Sequence, residues 1–447
     1  MRKAGKRVKW VFLIALILVV PFLTVILRAK PRYLVQTCFA AGVLMFAAVP
    51  NLWAAPIPWP GWPGPVKGLE VNIIDSIAVA LIFSTRPVPI SWSVKLPFAL
   101  YFFAILVSTF ASYQWMPAAF YAWQVIRAAV LFVAIARVCG TVSEAPVALL
   151  AGLGAGLVYE GVLAAKEFVS GVERPGGNLG HSNFLGLACD FVLFPTMALM
   201  LGTRRFLWPA IVLGSGLVIA IVGGSRATMG LFAIGLVLTL VFSLQHGTSS
   251  RKIAFGGAAV LLLLCATPLM VWAANHRSAE SKESSDSERT AMKDAARMII
   301  ADHPFGVGAN QYVVVANTGG YSQRAGVAWN YTSRSAPVHD TYYLVTAELG
   351  FIGLIGFLGT IVGLISLGWR MLKRRSEDES NELVPGLLAT MLVVSVHVSY
   401  EWVFMHFVLH YMFAVGAGML VGIKARHRSP VRLAPALMPV PAHSRAG

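Results

Sequence analysis

The sequence is a succession of apolar runs, most of them long enough to cross a lipid bilayer. Hydrophobic residues make up 57% of its 447 residues, and only 13% are charged. About 20 apolar residues span the hydrocarbon core of a membrane, where only helices and closed barrels satisfy their backbone hydrogen bonds. The runs therefore predict one all-α polytopic membrane domain over residues 1–447, with about 12 transmembrane helices.

Twelve spans are predicted, near residues 10–27, 33–50, 95–111, 118–136, 147–169, 182–201, 206–222, 227–244, 253–274, 340–368, 384–399 and 403–422. The apolar stretch 72–84 is shorter and contains Asp75, so it fits either a thirteenth span or a re-entrant piece. The segment 50–65 is rich in Pro and Trp, which suits a loop at the membrane interface.

Charge predicts the side of the membrane on which each link lies. The net charge is +16, and three links are basic as cytoplasmic loops are, namely 202–205, 245–252 and 370–383. The alternate links must then face outward, and these are 171–181, 223–226 and the much longer 275–339. Because the positive excess lies at the chain ends and links, it predicts membrane lipids as neighbours and no nucleic-acid partner.

The long outward segment, residues 275–339, is expected to contain a helix. Ser285 and Glu288 have the spacing of a capping box, which predicts a helix from Ser285 to about Asp302. Arg289, Lys293 and Arg297 recur every four residues, so they would form a basic stripe on one face of that helix.

Three arginines from separate outward links are candidates for binding phosphate. Arg226 lies between two spans, Arg174 lies in the 171–181 link, and Arg289 begins the basic stripe. A guanidinium group binds phosphate oxygens in pairs. The simpler alternatives are that Arg226 contacts lipid headgroups, that Arg174 pairs with Glu173, and that Arg289 lies on a solvated helix face.

His339 is the candidate catalytic base, because it ends the long outward segment where a span begins. Histidine titrates near neutral pH, so it can accept a proton from a hydroxyl at the membrane surface. Asp340 and Glu348 are candidate orienting groups for it, and His181 and Asn183 are further supporting candidates.

Other histidines and several absent motifs limit the chemistry. A hydrogen-bonded cluster is favoured over a metal site for His397, Glu401, His406 and His410, which recur near the last outward turn. The sequence has no Asp-x-Asp pair to hold a divalent cation and no Walker loop for ATP. No metal and no cofactor are therefore predicted.

Several short motifs occur in an order that resembles the O-antigen ligase/polymerase superfamily over roughly residues 145–368. They are Gly177-Asn178 with Asn183, Gly224-Ser225-Arg226, Glu288-Arg289-Thr290, His303-Pro304-Phe305-Gly306-Val307-Gly308, His339-Asp340 with Tyr343-Leu344, and Ala347-Glu348-Leu349-Gly350-Phe351-Ile352-Gly353. The family often has Asn after the histidine, where this chain has Asp340. One dominant outward segment, late in the chain, is more similar to the ligases than to the polymerases.

The resemblance implies a GT-C-type helical enzyme of the bacterial inner membrane, with its site facing the periplasm. It implies undecaprenyl-diphosphate-linked O-antigen as donor and lipid A–core oligosaccharide as acceptor. It also implies that Arg226 and Arg289 bind the donor diphosphate and that His339 is essential, while Arg174 is added from the topology.

The expected reaction is a metal-independent, inverting displacement. Three alternatives stay open: an O-antigen polymerase, a protein O-oligosaccharyltransferase using the same donor, and a transporter of lipid-linked glycan.

Overall fold

The structure, a computed structural model, describes residues 2–275, 279–374, 378–402 and 406–428. Within those residues the chain forms α-helices throughout, apart from one β-hairpin and two short 3-10 helices, at Gly177–Leu179 and Glu379–Leu383. In chain order the elements are α1 Arg2–Ala29, α2 Arg32–Ala47, β1 Trp53–Pro58, β2 Gly68–Asn72, α3 Ile73–Ser84, α4 Trp92–Ala111, α5 Trp115–Thr141, α6 Ala145–Val169, α7 Ser182–Gly202, α8 Leu207–Gly223, α9 Arg226–His246, α10 Ser250–Asn275, α11 Ala279–Asp302, α12 Tyr312–Thr318, α13 Tyr321–Arg324, α14 Tyr331–Ser335, α15 Thr341–Leu372, α16 Val384–His397 and α17 Phe407–Arg428.

The prediction of an all-α polytopic membrane protein is confirmed. In the described part of the chain, eight helices are long and apolar enough to cross a membrane, namely Lys9–Ala29, Trp92–Ala111, Trp115–Thr141, Ala145–Val169, Ser182–Gly202, Arg226–His246, Thr341–Leu372 and Phe407–His427. Three apolar helices are shorter: Arg32–Ala47, Ile73–Ser84 and Leu207–Gly223. Each of the twelve predicted segments coincides with a helix, although residues 403–405 of the last segment lie outside the described residues. The count of twelve membrane spans remains a prediction.

The core is built around α7, which is buried along its whole length. Helices α8, α9 and α16 pack against it, while α2 packs on α6, α4 on α15 and α5 on α17. The three basic links meet at the end of the bundle where α7 finishes. There Arg205 pairs with Glu379, and Lys252 pairs with Glu382. The opposite end, where α7 begins, carries the candidate site.

The segment predicted as an interfacial loop, 50–65, is instead part of a β-hairpin. Strands β1 and β2 pair antiparallel, with a register shift between Ala54 and Ile57. Helix α3 follows directly, and Asn72 and Asp75 form a capping box at its start. The 12-residue helix α3 fits the interpretation of 72–84 as a short piece better than a full span.

Helix α11 ends at Asp302 as predicted, but the predicted start at Ser285 is wrong because the helix begins at Ala279. The residues before Ser285 include Ala, Glu and Lys, which are good helix formers and let the helix extend toward its N-terminus. Glu288 therefore does not complete a cap. Its carboxylate accepts a hydrogen bond from the backbone N–H of Ala328, at 3.2 Å, elsewhere in the 275–339 segment.

The loop after α11 is anchored to a kink in α15. Gly350 has φ +67°, and a Cβ there would lie 2.6 Å from the carbonyl carbon of Phe305. Both the left-handed backbone and the close approach favour glycine. The backbone at 307–308 donates hydrogen bonds of 2.9 Å to the carbonyls of 347–348. Two of the motifs noted above are thus packed against each other.

Candidate active site

A cavity of about 590 Å³ opens at the end of the bundle where α7 begins, and all three candidate arginines line it. Arg174 comes from the link before α7, Arg226 from the first turn of α9, and Arg289 from α11. The prediction from topology placed these arginines on one side of the membrane. The structure brings them to one cavity, which is a closer association than the sequence could establish.

Arg226 is exposed, with 51% of its side chain accessible, whereas Arg174 and Arg289 are half-buried. Its Nη2 lies 3.2 Å from the Asp286 carboxylate, which is itself 64% exposed. An ion pair that is this open to water adds little stability. The Arg226 guanidinium can therefore exchange Asp286 for a phosphate at small cost.

Glu401 lies at the centre of the site and is 2% exposed. Arg289 donates a hydrogen bond to its Oε1 at 2.9 Å, and the Asn183 amide donates to the same oxygen. Its other oxygen, Oε2, lies 3.1 Å from Nδ1 of His339. A carboxylate on Nδ1 fixes the orientation of the imidazole and leaves Nε2 for a substrate, as in other carboxylate–histidine pairs.

The charges around Glu401 keep it ionised despite its burial. Burial raises the pKa of its carboxyl, but the hydrogen bond and charge of His339 and the charge of Arg289 outweigh burial and lower the pKa to about 2. A carboxylate that stays ionised at neutral pH can stabilise the imidazolium that His339 would become after accepting a proton.

Arg174, Asn183 and His181 form a second layer beside Glu401. Arg174 donates a hydrogen bond of 2.8 Å to the Asn183 side-chain oxygen, so Asn183 links Arg174 to Glu401. His181 caps α7, and its Nδ1 accepts a hydrogen bond from the Asn183 backbone at 3.2 Å. The pKa of His181 is lowered overall. Burial lowers it most, the charge of Glu401 raises it, and the charge of Arg174 lowers it again. A lowered pKa favours the neutral, hydrogen-bond-accepting form that this contact requires.

The two orienting groups proposed from sequence lie elsewhere. Asp340 caps α15 and forms an ion pair of 3.0 Å with Lys293 of the basic stripe. Glu348 is fully buried and accepts hydrogen bonds from the backbone of Asn310 and Tyr312, at 2.8 and 2.9 Å. Asp340 and Glu348 therefore stabilise the helix start and the loop near His339. The carboxylate that contacts His339 itself is that of Glu401.

The group of His397, Glu401, His406 and His410 does not form one cluster. His397 pairs with Asp190, while His410 contacts Gln124. His406 lies against the ring of Phe184. Among the described residues, no group of three or more His, Cys, Asp or Glu side chains is placed to hold a metal ion.

Sequence reasoning gave Glu401 no role with His339. The only signal available was a carboxylate between two aromatic residues, Tyr400 and Trp402, at the end of an apolar run. An ionisable residue at such a depth marks a functional candidate, but its partner lies 62 residues away in the chain.

The fold and the site together define a class: a multi-pass membrane protein with a cationic cavity beside a carboxylate–histidine pair. Residues 191–358 match the family model described as O-Antigen ligase, and this match supports an assignment to the O-antigen ligase/polymerase superfamily. The resemblance seen in the sequence is thereby confirmed at the level of the family. A comparison with curated proteins finds no match for this chain.

The family supports a general enzymatic role of the ligase or polymerase type, as in membrane glycosyltransferases. The matched region contains Arg226, Arg289 and His339 but neither Arg174 nor Glu401.

Proposed function

We propose that this protein is an O-antigen ligase of GT-C type. It transfers O-antigen polysaccharide from undecaprenyl diphosphate to lipid A–core oligosaccharide, at the periplasmic face of the bacterial inner membrane. One observation carries the proposal. Three arginines line one cavity, and the Glu401 carboxylate in its lining holds His339.

The proposed reaction is a single displacement at the anomeric carbon of the first donor sugar. Nε2 of His339 takes the proton from an acceptor hydroxyl, and that oxygen forms a bond to C1. The bond between C1 and the diphosphate oxygen breaks, and undecaprenyl diphosphate leaves with the electron pair. One displacement inverts the anomeric configuration, and Glu401 stabilises the imidazolium that results.

The arginines would stabilise the negative charge that grows on the departing diphosphate. Guanidinium groups at fixed positions can perform the task that a divalent ion performs in many other phosphate-releasing enzymes. The start of α9, from its N-cap Ser225 to Ala227, also lines the cavity. Unpaired backbone N–H groups at a helix start favour anions there.

The experiment that tests this function is glycan transfer by the purified protein in proteoliposomes. The donor is supplied with one acceptor at a time: lipid A–core, O-antigen repeat units on the same carrier, or a pilin-like protein. The proposal predicts a new glycosidic bond with lipid A–core alone. Transfer to repeat units would indicate a polymerase, transfer to protein would indicate an oligosaccharyltransferase, and movement of donor across vesicles without a new bond would indicate a transporter.

A further inference from the structure

A second groove, of about 400 Å³, runs between α11 and the first half of α15. Its lining shares no residue with the cavity that holds the three arginines. Arg297 of α11 lines this groove, and Tyr343, Phe351 and Leu354 line it from α15. None of these side chains has a part in the proposed displacement.

The polar part of the groove presents a fixed cation. The side chain of Arg297 is 57% exposed. Its Nε donates a hydrogen bond of 3.2 Å to the Tyr343 hydroxyl, and its guanidinium carbon lies 5.5 Å from the centre of that ring. Asp294 accepts a hydrogen bond of 2.6 Å from Nη1. These contacts orient the guanidinium and use its Nε and Nη1, so its Nη2 can still donate to an anionic oxygen.

The apolar part of the groove lies on a helix that is long and apolar enough to cross the membrane. Phe351 is 52% exposed and Ile355 is 61% exposed, and both belong to that helix. Phe305, in the adjoining loop, is 83% exposed. An arginine above exposed apolar side chains matches an amphiphile with an anionic headgroup, as in basic pockets that bind lipid headgroups between membrane helices.

The groove and the cavity are both lined by arginines of α11, Arg297 in the groove and Arg289 in the cavity. Tyr343 follows His339 by four residues in the chain and lies in the first turn of α15. On α11, Arg289 contacts Glu401 and Arg297 contacts Tyr343, and these two arginines are about 12 Å apart along the helix axis. A lipid in the groove would have its headgroup within a few sugar units of His339.

We propose that this groove binds the acceptor, a phosphorylated glycolipid. A phosphate of its headgroup binds Arg297, and an acyl chain lies against Phe351 and Leu354. The inference rests on the proposed function, because it assigns the second substrate of that reaction to a place in the structure.

The test measures binding of lipid A, with its phosphates, to the full-length protein in phosphatidylcholine nanodiscs. Arg297→Gln is compared with wild type, and Arg324→Gln is the matched control. Arg324 is also an exposed arginine of the 275–339 segment, and it stacks on Tyr321 at 4.6 Å from the ring centre. Loss of a charge-assisted hydrogen bond should weaken lipid A binding about tenfold in Arg297→Gln and leave the control within about twofold of wild type.

Dephosphorylated lipid A should bind wild type as weakly as the phosphorylated form binds Arg297→Gln. In the transfer assay, Arg297→Gln should raise the acceptor KM and leave the donor KM unchanged. Phe351→Ala, an exposed position, should also weaken lipid A binding without affecting the donor KM.

The proposal is overturned if Arg297→Gln binds lipid A as wild type does. It is also overturned if phosphatidylglycerol displaces lipid A at equal concentration, because the groove would then take any anionic lipid. Failure of the proposed function has a different signature: wild type would transfer no glycan to any acceptor, while lipid A binding would still depend on Arg297.

Discussion

At the residue scale, the site depends on one buried carboxylate that connects distant parts of the chain. Glu401 contacts Asn183 at the start of α7, Arg289 on α11 and His339 before α15. The Thr341 hydroxyl also donates a hydrogen bond of 2.6 Å to the Glu401 carbonyl. The position of Arg289 and the orientation of His339 are therefore set together.

Arg226→Gln tests donor binding, because Arg226 contributes charge to the cavity but does not contact Glu401 in this structure. Replacing it should weaken binding of a soluble polyprenyl diphosphate about tenfold, the effect of one charge-assisted hydrogen bond. Titration calorimetry would measure this. Arg205→Gln is the matched control, since Arg205 is also an exposed arginine in an ion pair but lies at the opposite end of the bundle. Unchanged affinity in Arg226→Gln would refute a role in donor binding.

The pH dependence of stability tests the charge on Glu401. Its pKa is lowered from an ordinary value of 4.5 to about 2. A carboxyl with a lowered pKa stabilises the folded protein above its unfolded pKa, and that stabilisation is lost as the pH falls through the folded value. Wild type should therefore lose thermal stability more steeply than Glu401→Gln between pH 4.5 and 2. Thermal unfolding in detergent would measure this, and parallel curves would contradict the ionised state.

The sequence predicted the arginines of the site better than its carboxylate. Alternating links fix which end of the bundle a residue occupies, so Arg174, Arg226 and Arg289 could be grouped from topology and charge alone. Pairing of Glu401 with His339 depends on how helices pack, and hydrophobic periodicity carries no information about that. Asp340 was the nearer candidate in sequence, but it caps the following helix instead.

At the element scale, the contact between the 303–312 loop and α15 supports the residues around His339. Glu348 holds the backbone of this loop, and Gly350 lets α15 kink where the loop crosses it. The sequence showed these residues as two separate motifs, and only the structure shows that they form one joint. The hairpin at β1 and β2 was missed for another reason. Pro56 and Pro58 lack the N–H of a paired strand, so the segment has the composition of a loop.

Gly350→Ala tests this joint. The new Cβ would lie 2.6 Å from the Phe305 backbone, and alanine disfavours the φ of +67°. We expect the variant to unfold at lower temperature and to expose the 303–312 loop to protease. Gly214→Ala is the control, because a Cβ there meets nothing within 4 Å. Equal melting temperatures for the two variants would contradict the claim that close packing of the loop against Gly350 stabilises the fold.

At the scale of the whole molecule, the three basic links lie at one end of the helical bundle, and the candidate site lies at the other end. Helix α7 joins the two, because it begins at Ser182, next to Asn183, and ends at Gly202, beside the link that carries Arg205. The all-α membrane class and the position of each apolar segment could be read from the sequence, because span length and composition determine them. The cavity and the groove between α11 and α15 could not, since both depend on how the helices pack against one another.

This arrangement predicts a reaction supported by arginine side chains rather than by a bound ion. Transfer by the reconstituted protein should continue at its full rate in excess EDTA. The rate is measured with and without the chelator, and with added Mg²⁺ or Mn²⁺. Loss of transfer in EDTA that a divalent ion restores would contradict the metal-independent mechanism.

The central claim is that His339 activates the acceptor beside a diphosphate held by arginines. The most direct measurement is the rate of glycan transfer by His339→Ala in proteoliposomes, together with its affinity for a soluble polyprenyl diphosphate. His303→Ala is the control, because His303 is an exposed histidine of the same 275–339 segment. The account predicts that His339→Ala loses transfer by about a hundredfold or more, the scale of general base catalysis, while donor affinity and folding are retained. Transfer at the wild-type rate by His339→Ala would contradict it.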